Sequence, residues 1–164
     1  MSCVILDLDN CIADDAWRIP RINWQKSSPL ERYHEYHSLS GFDRVGNTDL
    51  FSEGHHDVIV FTARPVLYSA ITHEWLERNG IRAKHVVMRN NDDHRHSVEL
   101  KRHMLHWLPE LYGVPWQEIV AAYDDRPDVI EMYKKHHIPA HLRCIHDVCA
   151  YTQPAKTNTI TVRS

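Results

Sequence analysis

Two acidic clusters are the strongest chemical signal in this sequence. Asp7 and Asp9 come directly after one apolar run, and Asp124 and Asp125 come directly after another. Each run has the length and composition of a buried strand, and ligands bind at the carboxyl ends of strands in an open α/β sheet. Carboxylates clustered there repel one another unless a cation or a shared proton relieves them. Because Mg²⁺ binds carboxylates together with substrate phosphates, the clusters predict a magnesium site for phosphate chemistry.

Two more polar features lie between these clusters. Thr62 and Arg64 end an apolar run just before a predicted helix, and Lys101 lies in the first turns of the next one. A helix N-terminus offers backbone amides to an anion. Each feature also has a simpler interpretation, since Thr62 could cap the helix that begins near Pro65 and Lys101 could be a solvated lysine. The order of the features along the chain therefore has to decide between the two interpretations.

Apolar runs and helical periodicity predict the elements that position these residues. Strands are predicted at 3–8, 57–62, 83–88, 118–123 and 140–145. Helices are predicted at 66–79, 97–108 and 127–136. Strands that alternate with helices from residue 57 onwards indicate right-handed βαβ units and a parallel sheet.

For the first two predicted helices, the sequence also predicts which residues are buried and which residues lie at the helix ends. The first is expected to bury an apolar face formed by Leu67, Ile71, Trp75 and Leu76. In the second, Ser97 is expected to cap the N-terminus and Pro109 to end the regular pattern.

The stretch from residue 13 to residue 56 is too long for an ordinary connection between a strand and a helix. We expect it to form a small helical cap over a core made of residues 1–12 and 57–150, followed by a polar tail at 151–164. The predicted cap interleaves aromatic and cationic side chains: Trp17, Arg18, Arg21, Trp24, Lys26, Arg32, Tyr33, His34, Tyr36 and His37. Bases can stack on such rings and phosphates can pair with such cations. Equally, Trp17, Trp24 and Tyr33 could form the small core of the cap.

Composition excludes several classes of protein. The 164 residues suffice for one domain with an inserted subdomain, and the net charge of −3 argues against a broad surface for long nucleic acid. No apolar run approaches the roughly 18 residues of a membrane span, and no signal-like segment is apparent. We therefore expect a cytoplasmic protein that makes no membrane contact.

Cysteines and histidines suggest other chemistry, but simpler roles are favoured. The four cysteines show no CxxC spacing, so a disulfide framework is not expected. Cys11 has no neighbouring base that would activate it as a nucleophile. The 14 histidines include close pairs, namely His34/His37, His94/His96 and His103/His106. Without a matching cysteine or carboxylate set, these pairs favour solvated histidines over a zinc site.

The order of the polar features is the decisive observation. Read as Asp-x-Asp, strand-Thr, helix-Lys and Asp-Asp, residues 3–146 resemble the haloacid dehalogenase (HAD) superfamily of phosphohydrolases. Receiver domains use similar groups in a different order. The finer resemblance is to the 3′-phosphatase domain of bacteriophage-type polynucleotide kinase-phosphatases. It is carried by Asp7-Leu8-Asp9-Asn10-Cys11, Thr62-Ala63-Arg64, Asp93-His94-Arg95, 98–101 and 124–133.

This resemblance implies an α/β fold, namely a three-layer Rossmann-like parallel sheet with a small helical cap inserted after the first strand. Two positions depart from the family pattern, because Cys11 stands where Thr is usual and Asn10 stands where Gly is common. The sequence also contains no GxxxxGK[ST] run, so 5′-phosphorylation is not expected.

The resemblance also implies roles for the catalytic residues. Asp7 would attack the phosphorus and form an aspartyl-phosphate, and Asp9 would protonate the leaving alkoxide and then activate water. Thr62 and Lys101 would bind the non-bridging phosphate oxygens.

The implied metal site takes Mg²⁺ as its cofactor. Asp124 would hold the ion together with Asp7 and the backbone carbonyl of Asp9, while Asp125 would be an outer ligand or orient a metal-bound water.

Substrate-binding residues are expected in the cap and beside the strand ends. From the cap we expect Arg21, Trp24 and Tyr33 to contact a base or a backbone phosphate, and Arg64 and Arg95 are candidates for a second phosphate contact. These two arginines have alternative partners in Asp92, Asp93 and Asp128.

Together these features predict a Mg²⁺-dependent phosphomonoesterase whose substrate is a nucleotide or a short nucleic-acid end. The reaction would remove a 3′-phosphate from a nucleic-acid end or act on a mononucleotide. Two alternatives stay open: a phosphatase of a non-nucleotide metabolite, since members of one fold differ in their caps, and a non-catalytic module that binds nucleic-acid ends. Intact Asp7 and Asp9 argue against the second alternative.

Overall fold

A parallel five-stranded sheet forms the centre of the molecule, whose computed structural model describes residues 1–48 and 55–146. The described residues contain the strands Cys3–Leu6 (β1), Ala13–Asp14 (β2), Arg44–Val45 (β3), Asp57–Pro65 (β4), Ala83–Arg89 (β5), Ile119–Asp124 (β6) and Ala140–Leu142 (β7). The central sheet has the order β5-β4-β1-β6-β7, and all neighbouring pairs in it are parallel. This confirms the predicted parallel α/β sheet.

Helices cover both faces of this sheet. The α-helices of the described residues are Pro29–Arg32 (α1), His34–Ser38 (α2), Ser69–Arg78 (α3), Ser97–Leu111 (α4) and Pro127–Lys135 (α5). Short 3₁₀ helices lie at Ala16–Arg21, Ser40–Phe42, Val66–Tyr68 and Trp116–Glu118. Because successive strand side chains point to opposite faces, Ile5 packs in one core with α4 and α5, while Leu6 packs in another with Trp75 of α3. The molecule therefore has the predicted three layers.

The register of the sheet brings the functional strand ends together. Leu6, the last residue of β1, lies opposite Val60 of β4 on one side and Tyr123 of β6 on the other. The backbone amide of Asp7 continues this pairing by donating to the carbonyl of Tyr123, with an N–O distance of 3.0 Å. The residues that follow β1 therefore lie between the carboxyl ends of β4 and β6.

The helix predicted at 66–79 begins differently from the prediction. β4 continues to Pro65, a 3₁₀ helix follows at Val66–Tyr68, and only then does α3 begin at Ser69. A 3₁₀ turn has three residues instead of 3.6, so the inward face is shifted along the sequence. Leu67 is consequently 54% exposed, whereas Trp75 and Leu76 are buried as expected.

The helix predicted at 97–108 starts at Ser97 as expected but does not stop before Pro109. His96, and not Ser97, is its N-cap, because the side chain of His96 accepts a hydrogen bond from the amide of Val98. Pro109 lies inside α4, although proline cannot donate to the carbonyl four residues earlier. That carbonyl, of Leu105, instead accepts a hydrogen bond of 2.8 Å from the indole nitrogen of Trp116. A tertiary contact thus replaces the missing helical bond.

The inserted region predicted as a helical cap contains α1, α2 and two 3₁₀ helices, but also a short antiparallel pair of strands. Ala13 of β2 pairs with Val45 of β3, and Asp14 pairs with Arg44. The division into core and cap stays a prediction. Residues 49–54 of the predicted cap, Cys149 and the predicted tail at 151–164 lie outside the described residues. Within residues 1–48 and 55–146, no helix is long and apolar enough to cross a membrane.

Candidate active site at the carboxyl edge of the sheet

Three carboxylates meet where β1 and β6 end. Asp7 follows β1, Asp124 is the last residue of β6, and Asp125 comes next. One ligand atom from each lies within 4.8 Å of the others, and all three residues are buried. This grouping follows from the parallel register, since neighbouring strands that end at the same level place their next residues side by side. Among the described residues, this candidate metal-binding group contains no histidine.

The electrostatics of this group fit a divalent cation. Burial, followed by the neighbouring carboxylate of Asp124, raises the pKa of Asp7 well above its usual range. The same two causes raise the pKa of Asp125 to about 7. Buried carboxylates this close repel one another unless positive charge is added, and oxygen ligands of this type suit Mg²⁺. Asp7, Asp124 and Asp125 therefore fit the magnesium site expected from the sequence.

Lys101 supplies positive charge to the same group from the second turn of α4. Its Nζ lies 2.7 Å from Oδ1 of Asp7 and also forms an ion pair with Asp124. Although burial alone would lower the pKa of the Lys101 ammonium, Asp124 and Asp7 raise it well above its usual range. Lys101 is thus a buried charged group beside the candidate nucleophile and not a solvated lysine.

Asp9 belongs to a separate charged cluster. Its carboxylate is 16% exposed and lies 2.6 Å from Nη2 of Arg64 and 2.5 Å from Nη2 of Arg18. Although burial opposes the effect, these two guanidinium groups hold the pKa of Asp9 well below its usual range. The acidic group around Asp7 does not include the Asp9 side chain, so the proposed metal contact of Asp9 through its backbone carbonyl stays a prediction.

Arg18 is the functional residue that sequence reasoning missed. It lies in the 3₁₀ helix of the insert and its side chain is fully buried. The guanidinium pairs with Asp43 at 2.7 Å, donates to the backbone carbonyl of Tyr36 at 2.9 Å, and lies 4.2 Å from the centre of the Tyr36 ring. The sequence shows Arg18 only as one cation among several in the insert, because its contact with Asp9 depends on the path of the backbone.

Arg64 and Thr62 occupy places that differ from the sequence-based expectation. Arg64 was a candidate substrate contact, but it is fully buried and pairs with Asp9, which was not among its expected partners. Thr62 does not cap a helix, because the N-cap of α3 is Tyr68. The Thr62 hydroxyl instead accepts a hydrogen bond of 3.2 Å from the backbone amide of Arg64. It therefore stabilises the end of β4 beside the acidic group.

A cavity of about 350 Å³ opens over both charged clusters. Asp7, Asp9, Lys101 and Asp125 line its floor. One wall comes from the insert and is largely aromatic and apolar, with one cation: Ile22, Pro29, Leu30, Arg32, Tyr33, Tyr36 and His37. The opposite wall comes from the loops of the sheet and is rich in donors: Arg89, Asn91, His94, Arg95, His96 and Arg126.

The residues predicted to bind substrate divide into two groups. Tyr33 and Arg95 line the cavity, whereas Arg21, Trp24 and Arg64 do not. Arg21 is exposed and pairs with Glu35 at 3.1 Å, and Trp24 packs edge-to-face against Tyr33 with the ring centres 5.9 Å apart. Trp24 thus packs within the insert, whereas Tyr33 faces the cavity, and base stacking by Tyr33 stays a prediction.

His37 on the insert wall is neutral, whereas the opposite wall contains positively charged arginines. Burial, opposed by Asp9 and reinforced by Arg18, lowers the pKa of His37 to about 3, so its ring is neutral. Its buried Nδ1 has no hydrogen-bond partner in the described part of the chain. Arg95 pairs with Asp93 at 2.6 Å, as one of the alternatives anticipated. Arg89 donates to backbone carbonyls, including that of Ala63 at 2.9 Å.

The two departures from the family pattern lie in the tight turn after Asp9. Cys11 is buried, and burial followed by the charge of Asp7 raises the pKa of its thiol well above the usual range. A thiol in that environment is a poor nucleophile. Asn10 has a φ of +61°, in the left-handed region that glycine adopts without strain and asparagine tolerates.

Comparison with protein families identifies the family of this chain. A family model described as the polynucleotide kinase PNKP phosphatase domain matches residues 1–145. A comparison with curated proteins finds no match.

Solved structures share this fold at low sequence identity. A chain of the Pnkp1/Rnl/Hen1 RNA repair complex superposes with a TM-score of 0.64 at 20% identity, covering 86% of this chain and 42% of that chain. A hydrolase from Streptococcus pneumoniae TIGR4 gives 0.53 at 18% identity, covering 89% and 93%. A HAD family enzyme from Bacteroides thetaiotaomicron, in complex with magnesium and inorganic phosphate, gives 0.53 at 11% identity, covering 93% and 100%. The chain thus spans less than half of the RNA repair protein.

Proposed function

The chain belongs to the family of polynucleotide kinase PNKP phosphatase domains, which makes it a phosphatase of the HAD type, and we propose that it removes 3′-phosphates from nucleic-acid ends in a Mg²⁺-dependent reaction. The observation that carries the proposal is the placement of two charged clusters under one cavity. One cluster contains a buried carboxylate beside an ammonium group, and the other contains a carboxylate held by two arginines.

In the first step, a carboxylate oxygen of Asp7 attacks the phosphorus and the bond from phosphorus to the 3′-oxygen breaks. Lys101, which donates to Asp7 at 2.7 Å and also to Asp124, holds the nucleophile and offers its one remaining proton to a non-bridging oxygen. Thr62, at the adjacent strand end, would be a second donor. Preset donors of this kind stabilise the charge that develops in phosphoryl transfer. Mg²⁺, held by Asp7, Asp124 and Asp125, would reduce the repulsion between the anionic nucleophile and the phosphate.

Asp9 protonates the leaving 3′-oxygen and then removes a proton from the water that hydrolyses the aspartyl-phosphate. Arg18 and Arg64 favour its charged form in the free protein. A phosphate dianion that enters the cavity brings negative charge next to Asp9 and favours the protonated form. The two arginines therefore orient Asp9 and help to return it to the carboxylate, which is the base that the second step requires.

The walls of the cavity support a nucleic-acid end as the substrate. Tyr33 offers a ring face on the side of the insert. Arg95 and Arg126 lie on the opposite side, where each pairs through Nε and Nη2 with an aspartate, Asp93 or Asp128, and brings positive charge to the cavity. Aromatic rings stack on bases without regard to sequence, and arginine also binds phosphate oxygens. A terminal nucleoside with a neighbouring backbone phosphate would contact both walls, the base stacking on the aromatic wall and the phosphate binding to the arginines. A sugar phosphate would have no group to stack on the aromatic wall.

A substrate panel tests this proposal. Purified protein is incubated with a 3′-phosphorylated oligonucleotide, the same oligonucleotide phosphorylated at its 5′ end, 3′- and 5′-mononucleotides and a set of sugar phosphates, each with Mg²⁺ or with EDTA. We expect the highest kcat/KM for the 3′-phosphorylated oligonucleotide and no turnover in EDTA.

Several outcomes would contradict the proposal, each in a different way. Preference for a sugar phosphate would favour a metabolite phosphatase, and preference for mononucleotides would restrict the substrate to the free nucleotide. Tight binding of the oligonucleotide without release of phosphate would indicate a non-catalytic module. Full activity in chelator, or activity restored only by zinc, would overturn the assignment of magnesium.

A further inference from the structure

The side chain of Asn10, in the turn of the candidate active site, contacts residues that are far from it in the sequence. It follows Asp9 directly and is fully buried. Its Oδ1 accepts hydrogen bonds from the backbone amides of Ile145, at 3.1 Å, and His146, at 2.8 Å. Its Nδ2 donates to Oδ2 of Asp125 at 3.3 Å and to the backbone carbonyl of His146 at 3.1 Å. A side-chain amide has two donors and two acceptor sites, and all four are used here.

The orientation of this amide follows from its partners. Exchanging the oxygen and nitrogen of Asn10 would place an NH₂ group against two backbone N–H donors and an oxygen against the carboxylate of Asp125. Both arrangements are repulsive, so Nδ2 must face Asp125.

The backbone of the turn does not require asparagine. At a φ of +61°, glycine would adopt this conformation with less strain, and glycine is common at this position in the HAD superfamily. The presence of a buried, fully hydrogen-bonded asparagine therefore needs an explanation beyond the turn itself. Its contacts supply one, because they join three segments that are distant in sequence: the turn after β1, the residue after β6, and the backbone that follows β7.

We propose that Asn10 is a positioning residue for the magnesium ligand Asp125, and that it fixes this carboxylate by anchoring it to the backbone of residues 145 and 146. This inference rests on the proposed function, because it assumes that Mg²⁺ binds at Asp7, Asp124 and Asp125. The Asn10 donor restricts the rotation of the Asp125 carboxylate and stabilises its charged form. The backbone of residues 145–146 in turn restricts Asn10.

Independent contacts show that residues 144–146 are well placed for this role. The thiol of Cys144 lies 3.5 Å from the backbone carbonyl of Asp125, so the segment approaches Asp125 from a second direction. Nε2 of His146 lies 2.6 Å from the carboxylate of Asp15, which ties the segment to the insert as well. Groups that orient a metal ligand typically change metal affinity by about 10–100-fold when they are removed.

The experiment is a calorimetric titration of Mg²⁺, without substrate, into the wild type and Asn10→Gly. The substitution keeps the turn conformation and removes only the side chain. We expect the Kd for Mg²⁺ to rise by about 10–100-fold. Asn90→Gly, at an exposed position that does not line the cavity, is the matched control and should leave the Kd unchanged. A Kd within about twofold of the wild type for folded Asn10→Gly would overturn the inference.

A second measurement decides the question if Asn10→Gly does not fold. Mg²⁺ is titrated into ¹⁵N-labelled wild-type protein, and the side-chain amide of Asn10 and the backbone amides of Ile145 and His146 are followed by NMR. We expect all three to shift with the Kd found by calorimetry, and no shift would overturn the coupling. A wild-type protein that binds no Mg²⁺ would contradict the proposed function itself, whereas normal binding without these effects would contradict only the role of Asn10.

Discussion

The carboxyl edge of the sheet and the insert after β1 build the same cavity in different ways. At the sheet edge, the acidic groups come from neighbouring strands, lie within 4.8 Å of one another and are buried. In the insert, short helices present a largely apolar wall whose residues contact each other, as Tyr33 and Tyr36 do with ring centres 6.1 Å apart. We therefore propose that the edge carries out the phosphoryl chemistry and that the insert recognises the group to which the phosphate is attached.

Arg18 is the exception that connects the two regions. It belongs to the insert but pairs with Asp9 at the sheet edge. Removing it would leave the buried carboxylate of Asp43 without its partner at 2.7 Å, which typically destabilises a protein by about 3–5 kcal/mol. The division of labour is therefore best tested at residues that belong to one region only.

The largest effect is expected at the nucleophile. Asp7→Asn should lower kcat/KM by at least about 10⁴-fold for a nitrophenyl phosphate and for a 3′-phosphorylated oligonucleotide alike, because the amide cannot form the aspartyl-phosphate. Steady-state kinetics on both substrates measures the loss, and a thermal melt confirms that the variant is folded. Near wild-type turnover would show that Asp7 is not the nucleophile.

The effect of substituting Asp9, the proposed acid and base, should depend on the leaving group of the substrate. Asp9→Asn should lower kcat for the oligonucleotide by about 10²–10⁴-fold, since the 3′-alkoxide needs a proton to leave. Formation of the aspartyl-phosphate from nitrophenyl phosphate should be affected far less, because nitrophenolate leaves without protonation. Pre-steady-state release of nitrophenol checks this. An equal loss in the first step for both substrates would contradict the assignment of Asp9 as the acid.

Variants of the insert should separate the two substrates. Tyr33→Ala should lower kcat/KM for the oligonucleotide by about 5–150-fold, which corresponds to a lost stacking contact of about 1–3 kcal/mol, and should leave nitrophenyl phosphate nearly unchanged.

Two neighbours of Tyr33 serve as controls. Arg21→Ala removes an exposed ion pair outside the cavity and should change either substrate by less than about 1 kcal/mol. Trp24→Ala should have a smaller effect than Tyr33→Ala, because Trp24 lies outside the cavity and contacts its lining at Tyr33 and Arg32. If Tyr33→Ala depresses both substrates equally, the insert is a lid or a structural support and not a recognition surface.

The smallest effect concerns pH. Burial and Asp124 raise the pKa of Asp125 to about 7, so Mg²⁺ must displace a proton below that pH, and its Kd should rise by about tenfold per unit. His37 should contribute no change in the preference for oligonucleotide over nitrophenyl phosphate between pH 6 and 8, because its pKa is about 3. Titration calorimetry and kinetics across this range measure both quantities.

The raised pKa of Asp125 also affects the stability of the metal-free protein. Because the pKa of Asp125 is higher in the folded state than its ordinary value of 3.8, the unfolded state loses this proton first as the pH rises. Titration of Asp125 therefore lowers the free energy of unfolding as the pH rises from about 4 to about 7. Denaturant melts in EDTA should show this loss, and saturating Mg²⁺ should remove it. A constant Mg²⁺ affinity below pH 7 would contradict the assignment of Asp125 as a ligand.

The sheet edge could be predicted from the sequence because its causes are local. An apolar run followed by carboxylates marks a buried strand and the polar residues at its end, and parallel pairing brings two such ends together without further information. Asp7 and Asp124 were predicted in this way, whereas Lys101 was predicted from the order of the polar features along the chain and from the family resemblance. The confirmed parallel sheet fixes their proximity.

The insert and the long-range contacts could not be predicted in the same way. The pairing of Arg18 with Asp9 and the burial of Arg64 depend on the path of short, irregular helices that have no strong periodicity. The contact of Asn10 with His146 spans 136 positions, and local patterns carry no signal for it. Pro109 was expected to end a helix because proline lacks a backbone N–H. The bond from Trp116 that compensates for this loss is a tertiary contact, which local sequence patterns do not reveal.

The account depends most directly on the covalent intermediate at the sheet edge. In Asp9→Asn supplied with ³²P-labelled nitrophenyl phosphate and Mg²⁺, the first step should proceed and hydrolysis should be slow, since no base activates the water. Rapid acid quench followed by peptide mapping should then find the label on Asp7, at up to one phosphate per protein. Release of phosphate without any labelled peptide, or with the label on another residue, would contradict the account.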